Sequence, residues 1–175
     1  MDFLCGNKIR YSYLYDNGST VINGNSLIYK TILLNAEWAA RLVLFNDKST
    51  KNAFLFTLGH ELTHKEQDFL RIVFRKNDYK FIFWTNEVHA DFGAAKKVAN
   101  SNKINLIEAI DYKANLNKNS QPTMFHPSWQ QRKKYAETGA FNKPLIETIA
   151  IDTGCTDKDL IDDVVDYYQE IVLND

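Results

Sequence analysis

The sequence lacks the features that mark disulfide-rich, exported and membrane-spanning proteins. Its 175 residues include only two cysteines, Cys5 and Cys155, which lie near opposite ends of the chain. A disulfide framework needs more cysteines, and no C-x-x-C pair occurs that would bind a metal. The first residues do not have the pattern of a signal peptide, and no run approaches the ~18 apolar residues of a membrane span. We therefore expect a soluble cytoplasmic protein without membrane insertion.

An excess of charge of one sign is also missing. The formal net charge is −1, from 21 basic and 22 acidic residues, so the composition does not support a nucleic-acid partner or binding to an anionic membrane. Apolar residues are plentiful: 45% of the chain is hydrophobic and 13% is aromatic, which is enough for a packed core. The chain length predicts a single domain over residues 1–175.

The first 35 residues differ in pattern from the rest of the chain. Residues 8–35 are rich in β-branched and aromatic side chains and contain the turn signals "DNGST" and "NGN", which predicts β-strands. Helical spacing dominates afterwards, apart from a polar, Asn-rich segment at 113–127 that predicts a loop. The first predicted helix covers 36–45, and a long second helix starts at about residue 50 with Ser49 or Thr50 as its N-cap. A third helix covers 84–99, and a fourth starts at Pro127 and ends near Gly139. Two further helices are predicted at about 144–151 and about 157–173. This order predicts an α+β fold.

The segment "TLGHELTHKEQ", residues 57–67, has the spacing of a catalytic metal site. His60 and His64 are four residues apart, so on a helix they share one face and can direct ring nitrogens at a single ion. Glu61 lies about 100° around the helix from His60, where it can reach a water on that metal. This is the H-E-x-x-H arrangement of zinc hydrolases.

The alternative for this segment is an amphipathic helix with two surface histidines and no ligand. Its neighbours Phe54, Phe56, Leu58 and Leu62 argue against that interpretation, because they make the helix apolar on most sides and favour its burial. We therefore favour a metal site. Two histidines do not complete a catalytic zinc site, which needs a third protein ligand and an open position for water.

The segment "NEVHAD", residues 86–91, offers the third ligand. Glu87 and Asp91 are four residues apart and share a helix face, whereas His89 points away by about 200°. If Glu87 binds the metal, Asp91 can accept a hydrogen bond from the second ring nitrogen of a metal-bound histidine. The alternatives are a solvated acidic face for this pair of carboxylates, and His89 as the ligand in place of Glu87.

These motifs together resemble the gluzincin clan of zinc metallopeptidases. In that clan an N-E-x-x-x-D helix, here with Glu87, follows the H-E-x-x-H helix. The segment "FHPSWQQRKKY" is similar to the H-P-x-x-x-x-R element of HtpX-type and CAAX-prenyl-protease-like gluzincins, here His126, Pro127 and Arg132. Those proteins usually carry transmembrane helices, and this chain has none, so it looks closer to the small minigluzincins over about residues 25–135.

The resemblance implies a small zincin-like domain with a short, mostly antiparallel N-terminal sheet, an active-site helix and several further helices. The C-terminal helices at about 144–173 would dock on the core; the last of them could instead cover the cleft and keep the enzyme latent. The segment "SLIYKTILLN", residues 26–35, would be the edge strand that pairs with an extended peptide. A peptide or protein is therefore the expected substrate.

The resemblance also implies a mechanism. One Zn²⁺ ion held by His60, His64 and Glu87 would lower the pKa of its water toward about 7. Glu61 would take the proton of that water as general base and later deliver it as general acid. Asp91 would orient one of the metal-binding histidines from behind.

Two residues of the H-P-x-x-x-x-R element have implied roles with open alternatives. His126 would donate to the developing oxyanion, as a histidine or tyrosine does in similar enzymes; otherwise it is a loop residue before Pro127. Arg132 would pair with a carboxylate and position the loop; otherwise it is an exposed helix residue.

The expected function is thus a soluble zinc-dependent endopeptidase. The alternative is a catalytically silent or latent metal-binding regulator with the same fold, although a purely structural site has no use for Glu61 as a base. A metal deformylase also uses H-E-x-x-H, but it needs a cysteine ligand in a strand not far upstream of that motif, and neither Cys5 nor Cys155 is so placed.

Overall fold

The structure, a computed structural model, describes residues 9–12, 19–21, 31–67, 78–97 and 105–173. Helices account for most of these residues. They are α1 Ala36–Phe45, α2 Lys48–Glu66, α3 Tyr79–Lys97, α4 Leu106–Leu116, α5 Trp129–Ala136, α6 Lys143–Thr153 and α7 Lys158–Leu173. Within the described ranges, no helix is both long enough and apolar enough to cross a membrane.

Three short strands form one mixed sheet ahead of the helices. The strands β1 Ile9–Ser12, β2 Ser19–Val21 and β3 Thr31–Asn35 contain 4, 3 and 5 residues. Their order in the sheet is β1-β3-β2, so β3 lies between the other two. The β1–β3 pair is parallel, with Ile9 opposite Ile32, and the β2–β3 pair is antiparallel, with Thr20 opposite Ile32.

The predicted α+β fold with a mostly antiparallel N-terminal sheet is wrong. The described chain is predominantly helical, and one of the two strand pairings is parallel. The predicted edge strand is wrong for its described part, because β3 has hydrogen-bonded neighbours on both sides; residues 26–30 lie outside the described ranges. Composition indicates that strands form, but strand order and register depend on contacts between distant segments.

Two helices start at caps that differ from the predicted ones. The Asp47 carboxylate accepts from the Thr50 backbone N–H at 2.8 Å and from its hydroxyl at 2.7 Å, so Asp47, rather than Ser49 or Thr50, is the N-cap of α2. Ser128 caps α5 through a reciprocal capping box, so Pro127 precedes that helix instead of starting it. The helices α1, α6 and α7 agree with the predicted ranges to within two residues.

The observed helices differ most from the predicted ones at α3 and α4. The helix α3 begins at Tyr79, five residues before the predicted start, and its first turns bury Phe81 and Trp84. The sequence pattern does not predict α4, whose last turn occupies the start of the predicted loop 113–127. Asn105 caps α4 by accepting a hydrogen bond from the Glu108 backbone N–H at 3.1 Å. A polar, Asn-rich segment therefore continues as a helix until Leu116.

The helix α3 lies between two hydrophobic clusters. One cluster joins α3 to α6 and α7 and includes Trp84 and Tyr168. The other joins α2, α3, α4 and α5 and includes Phe56, Ile110 and Trp129. Packing on both sides fixes α3 against α2, which is the helix that carries the two histidines of the metal motif.

The helices α2 and α3 are in close contact where Gly93 meets Thr63. A Cβ atom on Gly93 would lie 2.5 Å from both Cγ2 and Oγ1 of Thr63, which is inside contact distance. The Thr63 hydroxyl donates to the Gly59 carbonyl at 2.9 Å, so the threonine side chain is held in place. This close approach brings the carboxylates of α3 within reach of the histidines of α2.

Candidate metal centre

The two histidines of α2 converge as their spacing predicts. His60 Nε2 and His64 Nε2 are 2.9 Å apart, and the two rings meet edge to face with centroids 4.5 Å apart. His60 is buried and His64 is half-buried. Helix geometry alone accounts for this pair, because residues four apart are stacked on one face.

Glu87 of α3 is the third member of this group and lies next to both histidines. Its Oε2 lies 3.4 Å from His60 Nε2, and its Oε1 lies 3.1 Å from His64 Nε2. One ligand atom from each of these three residues lies within 4.8 Å of the other two. Among the described residues, this is the group of histidine, cysteine and acidic side chains that can hold a metal ion. The prediction of Glu87 as the third member of the group agrees with this geometry.

Asp91 lies behind His60, in the orienting position that the sequence predicts. Its Oδ1 is 2.9 Å from His60 Nδ1. Burial raises the pKa of this carboxyl, but the Arg132 guanidinium and His60 outweigh burial and hold the pKa below its usual value. An ionised carboxylate can only accept, so His60 Nδ1 carries the hydrogen and Nε2 is the ring nitrogen left for a metal ion.

Arg132 of α5 is the partner of Asp91 and is not an exposed helix residue. Its Nε donates to Asp91 Oδ2 at 2.8 Å, its Nη2 donates to Asp91 Oδ1, and Nη1 lies 3.8 Å from Glu87 Oε2. The guanidinium is buried and stacks on Trp129, with Cζ 4.2 Å from a ring centroid. A single cation thus holds both carboxylates of α3.

The cluster stabilises positive charge between Glu87 and the histidines. Burial disfavours a charged His64, but the Glu87 carboxylate overcomes it and raises the pKa of His64 to about 9. Burial also disfavours a charged Glu87, yet His64 and His60 hold its pKa well below the usual value. A carboxylate and a cation 3.1 Å apart are therefore favoured here, and a metal ion would take the place of the imidazole proton.

Glu61 is buried beside this group, with 5% of its surface exposed. Burial raises its pKa, although His60 and His64 act in the opposite direction. A carboxyl pKa displaced upward from its usual value is the direction that suits a proton acceptor near neutral pH. Its place next to His60 on α2 follows directly from the motif.

His126 reaches the group from the loop before α5. Its Nε2 lies 3.7 Å from Glu87 Oε1, and 60% of its side chain is exposed, so the imidazole lies at the open side of the cluster. Thr123 organises this loop: its Oγ1 accepts from the backbone N–H groups of Phe125 and His126 at 3.2 and 3.0 Å. Trp84 Nε1 ties the loop to α3 by donating to the Thr123 carbonyl at 2.9 Å.

His89 lies outside the metal-binding group. Its ring packs against Phe141 and Tyr168, with centroids 5.0 and 4.6 Å away, and its Nδ1 is 2.8 Å from Gln67 Nε2. The alternative of His89 as third ligand therefore has no support in the structure. Cys155 is buried and is also outside the group, while Cys5 lies outside the described residues.

Two residues of this region are absent from the sequence predictions. Gln67, three positions after His64, has its Oε1 2.6 Å from His64 Nδ1. Lys113 of α4 is buried, and its Nζ donates to Thr57 Oγ1 at 2.8 Å, one helical turn before Glu61. Gln67 lies three residues after His64, a spacing at which two side chains on a helix can contact each other, so this contact could have been expected from the sequence. Lys113 falls in a helix that the pattern does not predict.

Comparisons of the chain with protein-family models, curated proteins and solved structures found no match. The resemblance to gluzincins therefore rests on the three motifs of the sequence. The structure shows that His60, His64 and Glu87 are close enough to bind a metal ion. Two imidazoles and one carboxylate form a donor set that suits divalent transition metals such as zinc.

Proposed function

We propose that this protein is a zinc-dependent endopeptidase with a centre of the gluzincin type. The proposal is carried by the convergence of His60 Nε2, His64 Nε2 and a Glu87 oxygen within 4.8 Å. When Nδ1 of each neutral imidazole carries the hydrogen, each of these atoms is an acceptor, and a metal ion among them would take the place of the proton that otherwise offsets their repulsion. Two histidines and one glutamate, with a fourth position left for water, form a catalytic zinc site.

The chemistry then follows from the residues around the ion. Zinc, when bound, supplies a Lewis acid for the scissile carbonyl and lowers the pKa of a water. Glu61 accepts a proton from that water while the oxygen of the water bonds to the carbonyl carbon of the substrate. The amide C–N bond breaks, and Glu61 delivers the proton to the departing amine. The products are a carboxylic acid and an amine, and the acid then gives up its own proton to become a carboxylate.

The surrounding residues position this reaction. Arg132 and Asp91 hold the ring of His60, because their hydrogen bonds fix its Nδ1 side. His126 is exposed at the open side of the cluster, where it can donate a hydrogen bond to the carbonyl oxygen as negative charge develops on it. No covalent bond to the protein is needed in this sequence of steps.

A peptide or protein is the substrate in this proposal, and the support for it is the set of three motifs. Pairing of a peptide with the strand β3 gives no support, since β3 is the central strand. A regulator that only binds metal has no need of a buried carboxylate beside the ligands, because burying a carboxylate costs free energy. The buried Glu61 thus favours an enzyme over a regulator.

The first test of the proposal is the metal content of the purified protein. We expect about one zinc per chain, as in zinc hydrolases with one catalytic ion. His60→Ala and Glu87→Ala should each lose it, whereas Glu147→Ala, which alters an exposed residue of α6, should keep it. A wild-type protein that takes up no divalent metal would exclude the proposed centre.

The second test is digestion of an unbiased peptide library by the zinc-loaded protein. We expect new amino termini in the products, loss of cleavage after treatment with a chelator, and recovery on addition of zinc. Stoichiometric zinc without any cleavage would contradict the enzyme and favour the metal-binding regulator.

A further inference from the structure

Gln67 ends α2 and is buried next to His64, with 3% of its surface exposed. Three polar groups of described residues lie within hydrogen-bond distance of its side-chain atoms. Oε1 is 2.6 Å from His64 Nδ1, while Nε2 donates to the Asn86 backbone carbonyl at 2.9 Å and is 2.8 Å from His89 Nδ1. One amide group therefore links the metal-binding helix α2 to the turn of α3 that carries Glu87.

The Asn86 carbonyl determines which way this amide points. A backbone carbonyl can only accept, so the NH₂ group of Gln67 must face Asn86. The carbonyl oxygen of Gln67 then faces His64 Nδ1, which has to carry a hydrogen in order to donate to it. With Nδ1 protonated, a neutral His64 has its lone pair on Nε2, the atom that faces His60 and Glu87.

Neighbouring residues hold Gln67 in this orientation. His89 Nδ1 accepts from the same NH₂ group, and the His89 ring is packed against Phe141 and Tyr168. The Tyr168 hydroxyl of α7 donates to Asn86 Oδ1 at 2.8 Å, which fixes the residue whose carbonyl orients Gln67. The orientation is thus set by groups that belong to α3 and α7.

We propose that Gln67 is the positioning residue of His64: it fixes the ring and its Nδ1–H tautomer so that Nε2 is available to the metal. This inference rests on the proposed zinc centre and adds a second orienting contact to it. His60 is oriented by a carboxylate, Asp91, while His64 is oriented by a neutral amide. Such orienting partners contribute measurably to metal affinity.

The test compares Gln67→Met with Gln67→Glu in the full chain. Methionine has a similar length and keeps the packing but accepts no strong hydrogen bond, so zinc affinity should fall by about 10- to 100-fold. Glutamate keeps an acceptor for His64 Nδ1–H but loses the NH₂ group that faces the Asn86 carbonyl, so its zinc affinity should be higher than that of Gln67→Met. Zinc affinity is measured by competition with a chelator, and thermal unfolding establishes that each variant is folded. Gln130→Met, at an exposed position of α5, is the control.

A second readout does not depend on metal. In protein labelled with ¹⁵N-histidine, the Nδ1 proton of His64 should give a slowly exchanging signal in wild type and in Gln67→Glu, and lose protection in Gln67→Met. Wild-type zinc affinity and a protected Nδ1 proton in a folded Gln67→Met variant would overturn the role of Gln67. If wild type binds no zinc, the proposed function fails, and the proton signal still decides whether Gln67 orients His64.

Discussion

Arg132 of α5 holds Asp91 of α3 through two hydrogen bonds, although 41 residues separate them in the chain. Both side chains are buried, and Asp91 in turn accepts from His60 Nδ1 at 2.9 Å. The helix α5, which follows the loop of His126, is therefore connected to His60 through a single carboxylate. Removing that carboxylate tests whether the connection matters.

Asp91→Asn should weaken zinc binding by about 10- to 100-fold, because an amide cannot accept from His60 and from both Arg132 nitrogens at once. Chelator competition measures the affinity. The matched control is Asp111→Asn, which removes the charge from an ion pair with Lys133 on the surface between α4 and α5. Equal loss in both variants would contradict a specific role for Asp91.

Glu61→Gln should keep its zinc and lose peptide hydrolysis by about 10²- to 10⁴-fold, since the amide cannot take a proton from water. The measurements are metal content and the rate of cleavage of a peptide found in the library experiment. Glu66→Gln changes an exposed glutamate of the same helix, paired with Lys97, and should leave the rate unchanged. Unchanged hydrolysis in Glu61→Gln would refute its assignment as the base.

His126→Ala should lower kcat by about 10²-fold with little change in KM or in zinc content, because an oxyanion donor acts mainly in the transition state. The neighbouring variant Met124→Ala alters an exposed residue of the same loop and serves as the control. A change in KM alone, with kcat preserved, would show that His126 binds substrate and does not stabilise the oxyanion.

Gly93→Ala should destabilise the protein by about 1–3 kcal/mol, because the added Cβ would lie 2.5 Å from Thr63 and α2 and α3 would have to separate. Urea unfolding measures the change, and zinc affinity should fall with it. Thr63→Ala removes the atoms at 2.5 Å, so the double variant should recover part of the loss. If the losses of stability in Gly93→Ala and Thr63→Ala simply add up in the double variant, the contact between these two residues is not the cause of the destabilisation.

Lys113 should make stability depend on pH in the alkaline range. Burial lowers its pKa to about 8 in the folded protein, against a model-compound value of 10.5. Between these values the unfolded chain binds the proton and the folded protein does not. The contribution of Lys113 to stability should therefore rise with pH by about 1.4 kcal/mol per unit in that window and be constant with pH below it.

Urea unfolding of chelator-treated protein at several pH values from 7 to 10 measures this effect. The wild type should gain stability relative to Lys113→Met as pH rises, and Lys96→Met, at an exposed position of α3, should follow the wild type. A difference between wild type and Lys113→Met that does not change with pH would contradict the lowered pKa.

The site was more predictable from sequence than the fold. His60, Glu61 and His64 lie on one helix, so their relative positions follow from 3.6 residues per turn. The pair Glu87 and Asp91 obeys the same rule on α3. The strand β3 illustrates the opposite case: its composition indicates a strand, but its central place depends on two partners from other segments.

Gln67 and Lys113 show why part of the site escapes such reasoning. Neither belongs to a recognisable motif, and each acquires its role from a residue on another helix: Asn86 of α3 for Gln67, and Thr57 of α2 for Lys113. The segment that contains Lys113 is polar and rich in asparagine, so its composition does not predict a buried residue. Lys113 is buried because α4 packs against α2 and α5, where its Nζ lies over the rings of Phe56 and Trp129.

By itself the sequence determined which side chains share a helix face, because that depends only on the helical repeat within a continuous segment. It therefore supplied the two imidazoles, the neighbouring acid and the paired carboxylates as separate groups. Only the tertiary structure decided that these groups meet, since their meeting depends on the close approach of Gly93 to Thr63 and on the clamp between Arg132 and Asp91. Those contacts join three helices, and their energy exists only once the helices have packed.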